Sequence, residues 1–440
     1  MKPNNNKHYC IICVNPTMSL DITFKEIKQR KYKIFSIITG LKSNKINVSY
    51  VNDNSDYFFN GSHNVNDDYP EIYKLVNQNN LEIKAVINGI DASIYYSDYL
   101  ISHLMGINLD LNYSQIRLNK FEVNNVLVNN NINAIQSLEL SSVNITPEIA
   151  IKIKQFGWPL IVKPSENTAA MAGFRIIQNQ TELDEYLSNT FGRKNAYYED
   201  YIVIKIILQK YIPMSEYDEY VLDFISYNGS HYLQAIGCYE KELVTGSNQL
   251  IYRNAHPAII NEIPNIQFVI DYMISVLDAL KVQYGSTHNE VFWDHKNSCY
   301  LIESNPRMVG SGLAEAYLNC YGYSPLSNFL NIIDHKPIQS MPTHKISHSM
   351  VMFLHNFYCD TSKYINLDGI KSLQSIVTFY HHKKTTIMFH NYTRADDIAA
   401  AILLNNTDLN QLNMDITELI NRERNGMLFY NKKLELVPNT

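Results

Sequence analysis

One segment constrains this chain more than any other: Tyr284-Gly-Ser-Thr-His-Asn-Glu-Val-Phe-Trp-Asp-His-Lys-Asn-Ser-Cys-Tyr-Leu-Ile-Glu-Ser-Asn-Pro-Arg307. Two strand-like runs flank a polar turn, His295-Lys-Asn-Ser298, so the segment reads as an antiparallel hairpin. Folding about that turn sets Glu290 opposite Glu303 and His288 opposite Asn305. Side chains two apart on a strand share a face, which crowds all four groups together. Directly opposed carboxylates repel and weaken a strand pair. A divalent cation between them reverses the sign, and the Asn305 amide oxygen is a suitable hard ligand beside it. Mg²⁺ takes few protein ligands and leaves places for phosphate oxygens and water, which suits two glutamates and one asparagine; Mn²⁺ is the alternative ion. The competing reading is a solvated hairpin face with scattered acids.

The rest of the chain is organised around that hairpin. The opening segment alternates strands (His8 to Val14, Lys84 to Ile90) with helical patterns (Ser97 to Met105), the signal for a parallel sheet with crossover helices. A polar loop is expected from Asn108 to Arg117 and a helix from Lys120 to Asn129. Trp158-Pro-Leu-Ile-Val-Lys-Pro164 reads as a short buried strand stopped by proline. A helix near Glu182 to Leu187 follows, then strands at Ile202 to Tyr211, Glu219 to Ile225 and His231 to Tyr239, and a helix from about Ile270 to Leu280. Beyond Ile346 the pattern restarts as a small α+β lobe: strands at Ser349 to Phe357 and Thr385 to Phe389, helices at Ala395 to Leu404 and Ile416 to Arg424. The expected divisions are residues 1–115, 116–335 and 336–440.

Composition closes off several function classes. Of 440 residues 45% are apolar and 18% charged, with a net charge of −6 spread along the chain. Clustered Lys and Arg for phosphate backbones are missing, so no nucleic-acid partner is expected. No apolar run approaches the ~20 residues that span a bilayer, and no membrane partner is expected. The N-terminus carries no secretory signal pattern, and the six cysteines form no disulfide framework; a cytoplasmic protein is expected. Cys10 and Cys13 form a C-x-x-C inside a strand and read as buried thiols. His381 and His382 read as surface residues.

Further motifs now connect. Glu290 together with Leu301-Ile-Glu-Ser-Asn-Pro-Arg307 resembles the metal-binding signature of ATP-grasp ligases. The match continues upstream in the same order. Pro159-Leu-Ile-Val-Lys163 resembles the strand whose lysine contacts the α- and β-phosphates, and Arg117-Leu-Asn-Lys120 an earlier segment whose lysine also reaches them. Leu208-Gln-Lys-Tyr-Ile212 resembles the hinge facing adenine. Glu219-Tyr-Val-Leu-Asp223 resembles the E-Y-V-x-D element of ligases that make amide bonds on amino acids. The resemblance spans roughly residues 85 to 335 and implies an α/β fold of ATP-grasp architecture: an N-terminal parallel-sheet domain, a central two-lobed nucleotide-binding module with its small lobe at about 150–212, and a small C-terminal α+β lobe.

It also implies roles. Glu290, Glu303 and Asn305 would hold Mg²⁺ against ATP. Lys120 and Lys163 would meet the phosphates, Gln209, Lys210 and Ile212 the adenine, and Glu219 the ribose. Arg307 would steady the transferred phosphoryl group. Three departures stand out. Gln209 replaces the usual acid, although its amide oxygen still accepts a hydrogen bond. The extra stretch Met214 to Asp218 makes Glu216 a rival to Glu219. The phosphate loop after Lys163, Ser165 to Gly173, has a single glycine. Burial gives independent support to the lysines, because buried anions without compensation are costly. Lys163 ends an apolar strand where a base has little structural reason, whereas Lys120 begins a polar helix where a surface lysine is common. Met308 to Gly312 reads either as a substrate-facing backbone loop or as a plain turn. His288 reads either as a partner of the metal ligands or as a packed core residue.

The expected function is an ATP-dependent carboxylate–amine ligase acting through an acyl phosphate on small-molecule acids and amines, with a homodimer as the assembly the family implies. The alternatives are a carboxylase or phosphotransferase of the same architecture, or a nucleotide-binding module without turnover.

Overall fold

Four parallel strands open the chain: β1 (His8–Val14), β2 (Lys33–Ile38), β3 (Tyr57–Asn60) and β4 (Leu81–Asn88), in spatial order β3-β2-β1-β4. The computed structural model describes residues 7–17, 20–40, 46–166, 173–194, 202–243, 250–310, 312–355, 362–365, 370–382, 398 and 400–431. Parallel strands covered on both faces read as apolar runs, and Cys10 to Val14 is buried throughout. Helices α1 (Leu20–Gln29), α2 (Val48–Asp53), α3 (Val65–Gln78) and α4 (Ile94–Met105) connect or cover these strands. Cys10 and Cys13 are free and buried here. Burial pushes the Cys10 thiol up to about 12, so it stays protonated.

The expected loop at Asn108 to Arg117 instead holds a short helix, α5 (Leu111–Ile116), because the Asp110 side chain accepts from the Asn112 N–H and caps it. Helix α6 (Lys120–Asn129) starts where expected, capped by Asn119 through the N–H groups of Phe121 and Glu122. A small antiparallel sheet follows, built from β5 (Ser137–Leu140), β6 (Leu160–Pro164), β7 (Arg175–Ile177) and β8 (Ile206–Lys210) in the order β5-β8-β6-β7. Its core joins Leu138, Leu160, Val162 and Leu208 to Leu183 and Leu187 of α8 (Gln180–Thr190), while α7 (Pro147–Phe156) contributes Ile153.

The largest sheet has eight strands: β9 (Asp218–Tyr227), β10 (Ser230–Leu243), β11 (Leu250–Ala258), β12 (Tyr284–Trp293), β13 (Cys299–Asn305), β14 (His348–Leu354), β16 (Ile376–His382) and β17 (Ala400–Asn406). They run in the order β13-β12-β9-β10-β11-β14-β17-β16, so the C-terminal strands share this sheet. Strands β15 (Ser362–Ile365) and β18 (Phe429–Asn431) form a separate pair. Helix α9 (Ile266–Ala279) packs Val269, Met273 and Val276 against Trp293, Cys299 and Leu301 of the hairpin. Helices α10 (Leu313–Tyr321) and α11 (Pro325–Ile333) follow the hairpin.

A helix was expected over Ala395 to Leu404, but Ala400–Asn406 is a strand. An apolar run buried on both faces carries no period of its own; pairing with β14 and β16 on either side decides it. Residues 385–389, expected as a strand, lie outside the described residues. Among the described residues no helix is long and apolar enough to cross a membrane.

Two register shifts shape the polar face of the large sheet. Near the hairpin turn Trp293 faces Cys299 and Val291 faces Leu301; past the shift Glu290 faces Glu303 and His288 faces Asn305. Ile302 is the extra residue, a β-bulge. Uninterrupted pairing would set Ile302 opposite Glu290 and turn Glu303 to the core face, since a one-residue slip exchanges the two faces. The second shift lies between β10 and β11, where Glu240 faces Asn254 but Lys241 faces Tyr252, leaving Arg253 extra.

Lys120 is held in place from two directions. Its backbone N–H donates to the Ser165 carbonyl at 2.8 Å. Just upstream, Arg117 is ion-paired with buried Asp98 of α4, which also accepts from Ser114 Oγ at 2.6 Å. Asp98→Ala would leave the guanidinium buried without its counter-charge. We expect a loss of about 3–5 kcal/mol, read as a lowered urea midpoint; a change within error would show that the pair contributes nothing to folding.

Candidate active site

The hairpin forms one edge of the large sheet, with β13 outermost and β12 paired to β13 on one side and to β9 on the other. Glu290 is 9% and Asn305 5% exposed, so the face is not a solvated one. Burial, followed by the charges of Glu219 and Glu303, pushes Glu290 up to about 7, against the opposing pull of Lys241 and His288. Glu303 goes the other way. Burial would raise it too, but Lys120, Lys163 and Arg307 outweigh burial and hold it below the usual carboxylate range. The difference is physical: Lys120 Nζ lies 3.0 Å from Glu303 Oε1. A lysine ammonium thus stands where cationic charge is required.

This donor set fits a hard divalent ion. Among the described residues no group of three or more His, Cys, Asp and Glu side chains is gathered to hold a metal unaided. Two carboxylates and one amide leave coordination places for phosphate oxygens and water, which is how Mg²⁺ binds in phosphoryl-transfer sites. The opposed acids, the high Glu290 pKa and the ammonium on Glu303 all describe a site short of positive charge.

His288 joins the same face and is buried. Its Nδ1 is 2.8 Å from Asp223 Oδ1, its Nε2 is 3.2 Å from the Tyr239 hydroxyl and 3.9 Å from Glu290 Oε1. It is therefore a neighbour of the acid pair held by an aspartate, rather than a residue packed in an apolar core.

Cations converge from three parts of the chain. Lys163 comes from β6 of the small sheet. Burial, followed by the charge of Lys120, lowers its pKa to about 8, with Glu303 and Glu290 pulling it back up. Lys120 comes from the start of α6. Arg307 follows the hairpin, and its Nε lies 3.1 Å from Asp91 Oδ1 in the turn after β4. Asn88 of β4 donates to the Pro306 carbonyl at 2.8 Å, which fixes the exit of the hairpin against the N-terminal sheet.

Of the expected adenine residues, Gln209 borders a cleft shared with Lys120 and the hairpin. A space of about 670 Å³, open to solvent, is bordered by Lys120, Asn124, Gln209, Leu301, Glu303 and Asn305. Gln209 is buried and its amide donates to Ser137 Oγ at 3.0 Å. The Lys210 N–H is already bonded to the Gln136 carbonyl, while Ile212 follows just beyond the end of β8. Glu219 is buried in β9, whereas its rival Glu216 is exposed in the preceding turn. Of the phosphate loop, residues 167–172 lie outside the described residues, as does residue 311 of the loop after Arg307.

Sequence reading missed three groups. Lys241 Nζ contacts both Glu219 oxygens, at 2.8 and 2.6 Å, and lies 4.5 Å over the Tyr252 ring. Asp223 orients His288, and Tyr239 caps the other ring nitrogen. Asp223 had a signal, since it is two positions beyond Val221 and four beyond Glu219 on one strand face. Tyr239 and Lys241 sit on β10, and only the pairing of Tyr239 with Glu219 shows that they belong here.

Residues 156–316 match the family model described as ATP-grasp domain. No curated protein matches the sequence. Among solved structures, an L-amino acid ligase from Bacillus licheniformis is similar at 14% identity and a TM-score of 0.68, over 94% of this chain and 97% of that one. A carboxyaminoimidazole ribonucleotide synthase from Aspergillus clavatus, complexed with ATP, is similar at 14% identity and 0.66, over 95% and 98%. A phosphoribosylglycinamide synthetase from Anaerococcus prevotii is similar at 14% identity and 0.59, over 94% and 98%. At these identities the likeness shows the fold, and the fold is that of ATP-grasp proteins, as the motifs led us to expect.

The Lys163 environment predicts a pH effect on anion binding. Its ammonium is intact below about 8 in the free protein, and a bound polyanion raises that value further. Ionisation of Glu290 near 7 should weaken tripolyphosphate binding first, and loss of the Lys163 proton should add a further fall of up to about tenfold per pH unit above about 8. Lys163→Met should bind more weakly and lose that step. Calorimetric titrations across this range check the claim, and a wild-type profile flat to pH 9.5 would refute it.

Proposed function

We propose that this protein is an ATP-dependent, ADP-forming ligase that joins a carboxylate to an amine, with amino acids as the substrate class. One observation carries the reading: Glu290, Glu303 and Asn305 share a buried face toward which Lys120, Lys163 and Arg307 converge. Such a set is suited to a metal-bound triphosphate and to little else. The E-Y-V-x-D element at Glu219 favours amino acid substrates, and it is consistent that one similar structure is that of an L-amino acid ligase.

Each residue has a task in this reading. Glu290, Glu303 and Asn305 would hold Mg²⁺, which when bound would neutralise phosphate charge and orient the γ-phosphoryl group. Lys163 and Lys120 would take phosphate oxygens, Lys120 from its present place against Glu303. Gln209, Lys210 and Ile212 border adenine, and Glu219, steadied by Lys241, accepts the ribose hydroxyls. The substrate carboxylate attacks the γ-phosphorus in line as the bond to ADP breaks. Arg307, anchored by Asp91, offsets the charge developing on the transferred group and then on the acyl phosphate. An amine next attacks the acyl carbon, the bond to the phosphate oxygen breaks, and inorganic phosphate leaves. No side-chain nucleophile is needed. Catalysis lies in positioning and charge compensation, and in keeping water from the acyl phosphate.

The test is a phosphate-release screen over pairs of amino acids with ATP and Mg²⁺. ADP and phosphate should appear only when an acid and an amine are both present. Glu303→Ala should lose about a hundredfold or more in turnover, and unimpaired turnover would remove the metal assignment. Dependence on bicarbonate would instead identify a carboxylase, and a stable phosphorylated product a phosphotransferase.

A further inference from the structure

The second register shift has an anchor far along the chain. Strands β10 and β11 pair regularly up to Glu240 and Asn254. Continued without interruption, that register would set Lys241 against Arg253, two like charges directly opposed. Instead Arg253 is the bulged residue and Lys241 faces Tyr252. The consequence is a change of face for the start of β11. Tyr252 turns to the side of Tyr239, with ring centroids 5.3 Å apart, and its ring lies under the Lys241 ammonium. Arg253 becomes available to the opposite partner.

That partner is Glu423, from the helix Leu409–Arg424 near the C-terminus. Its carboxylate is fully buried, with Oε2 2.6 Å from Arg253 Nη2. Its other oxygen accepts from the His355 backbone N–H at 2.6 Å. His355 in turn donates from Nε2 to the Tyr252 carbonyl at 2.7 Å. Glu423 therefore reaches the bulge twice, through the Arg253 side chain and through His355 to the Tyr252 backbone. Bulges beside active sites re-aim side chains, and this one aims Tyr252 at the lysine that holds Glu219.

We propose that Glu423 is a positioning residue: it locks the β11 register through Arg253 and His355, and so fixes the Tyr252–Lys241–Glu219 stack at the ribose end of the nucleotide site. The lock itself follows from register and contacts. Its effect on nucleotide rests on the ligase reading.

The experiment is a mutant cycle read by Mg²⁺–ATP affinity, melting temperature and hydrogen exchange of the intact chain. Glu423→Gln keeps an acceptor for His355 and removes the buried negative charge paired with Arg253, leaving Glu242, 3.3 Å from Arg253 Nε, as its remaining acidic partner. It should raise the ATP Kd roughly tenfold, and the same change in a Lys241→Met background should raise it less than about twofold, since residues acting through one another are not additive. Arg253→Met combined with Glu423→Gln removes the guanidinium whose buried counter-charge the single change takes away. The melting temperature should recover in that variant while the Kd stays weak, which a purely structural role would not produce. Exchange over residues 237–243 and 250–258 should quicken in both variants. An unchanged Kd in folded Glu423→Gln, equal effects with and without Lys241, or unchanged exchange in those strands would each overturn the lock. A wild-type protein that binds no ATP would sink the nucleotide reading alone, and the exchange data would still decide the lock.

Discussion

Two like charges held face to face inside the protein set the terms for everything around them. Glu290 and Glu303 are brought into opposition by hydrogen bonding between β12 and β13, and neither can be fully ionised there without cationic company. Burying a carboxylate out of water is costly unless it is paired or coordinated. The protein answers with Lys120 against Glu303, with Lys163 and Arg307 close enough to shift its titration, and with Lys241 near Glu290. The remaining deficit is carried by Glu290, whose pKa stays raised; in the proposed reading a metal ion would offset it.

That requirement explains why three layers of structure meet at one hairpin. The small sheet delivers Lys163 from the end of β6, where neighbouring apolar residues bury the strand and leave only the lysine with a polar task. The helix start delivers Lys120, pinned by the Ser165 carbonyl and by the Arg117–Asp98 pair behind it. Among the described residues the N-terminal parallel sheet contributes no cation to this cluster. It supplies Asp91 to orient Arg307 and Asn88 to fix Pro306. Around this cluster Tyr239 and Tyr252 have phenols raised well above their ordinary value by burial and by Glu290. They stay neutral, and so can border the acids without adding to the repulsion.

β-Bulges do the fine placement. Ile302 turns Glu303 toward Glu290, and Arg253 turns Tyr252 toward Lys241. In both cases a single extra residue exchanges the two faces of a strand, so a side chain that regular pairing would turn toward the opposite face is brought to the cleft. The sheet thereby gains a crowded polar face without losing the apolar one, where Trp293, Cys299 and Leu301 pack on α9.

The sequence by itself determined the parts that are local. The hairpin follows from two strand-like runs about one turn, Lys163 from its place at the end of an apolar strand, and α6 from the helical pattern over Lys120 to Asn129. It also determined that Glu290, Glu303, His288 and Asn305 share a face, although the regular pairing assumed for it needed a bulge to become true. Tertiary structure decided the rest. Ala400–Asn406 became a strand because its neighbours hydrogen-bond it on both sides, and no period in its apolar residues could announce that. Lys241 and Tyr239 entered the site through the register of β10 on β9, a contact between residues some twenty positions apart. Glu423 reached Arg253 across 170 residues. Local preference is written in neighbouring side chains, whereas register and long-range charge pairing depend on which strands meet, and only the folded chain fixes that.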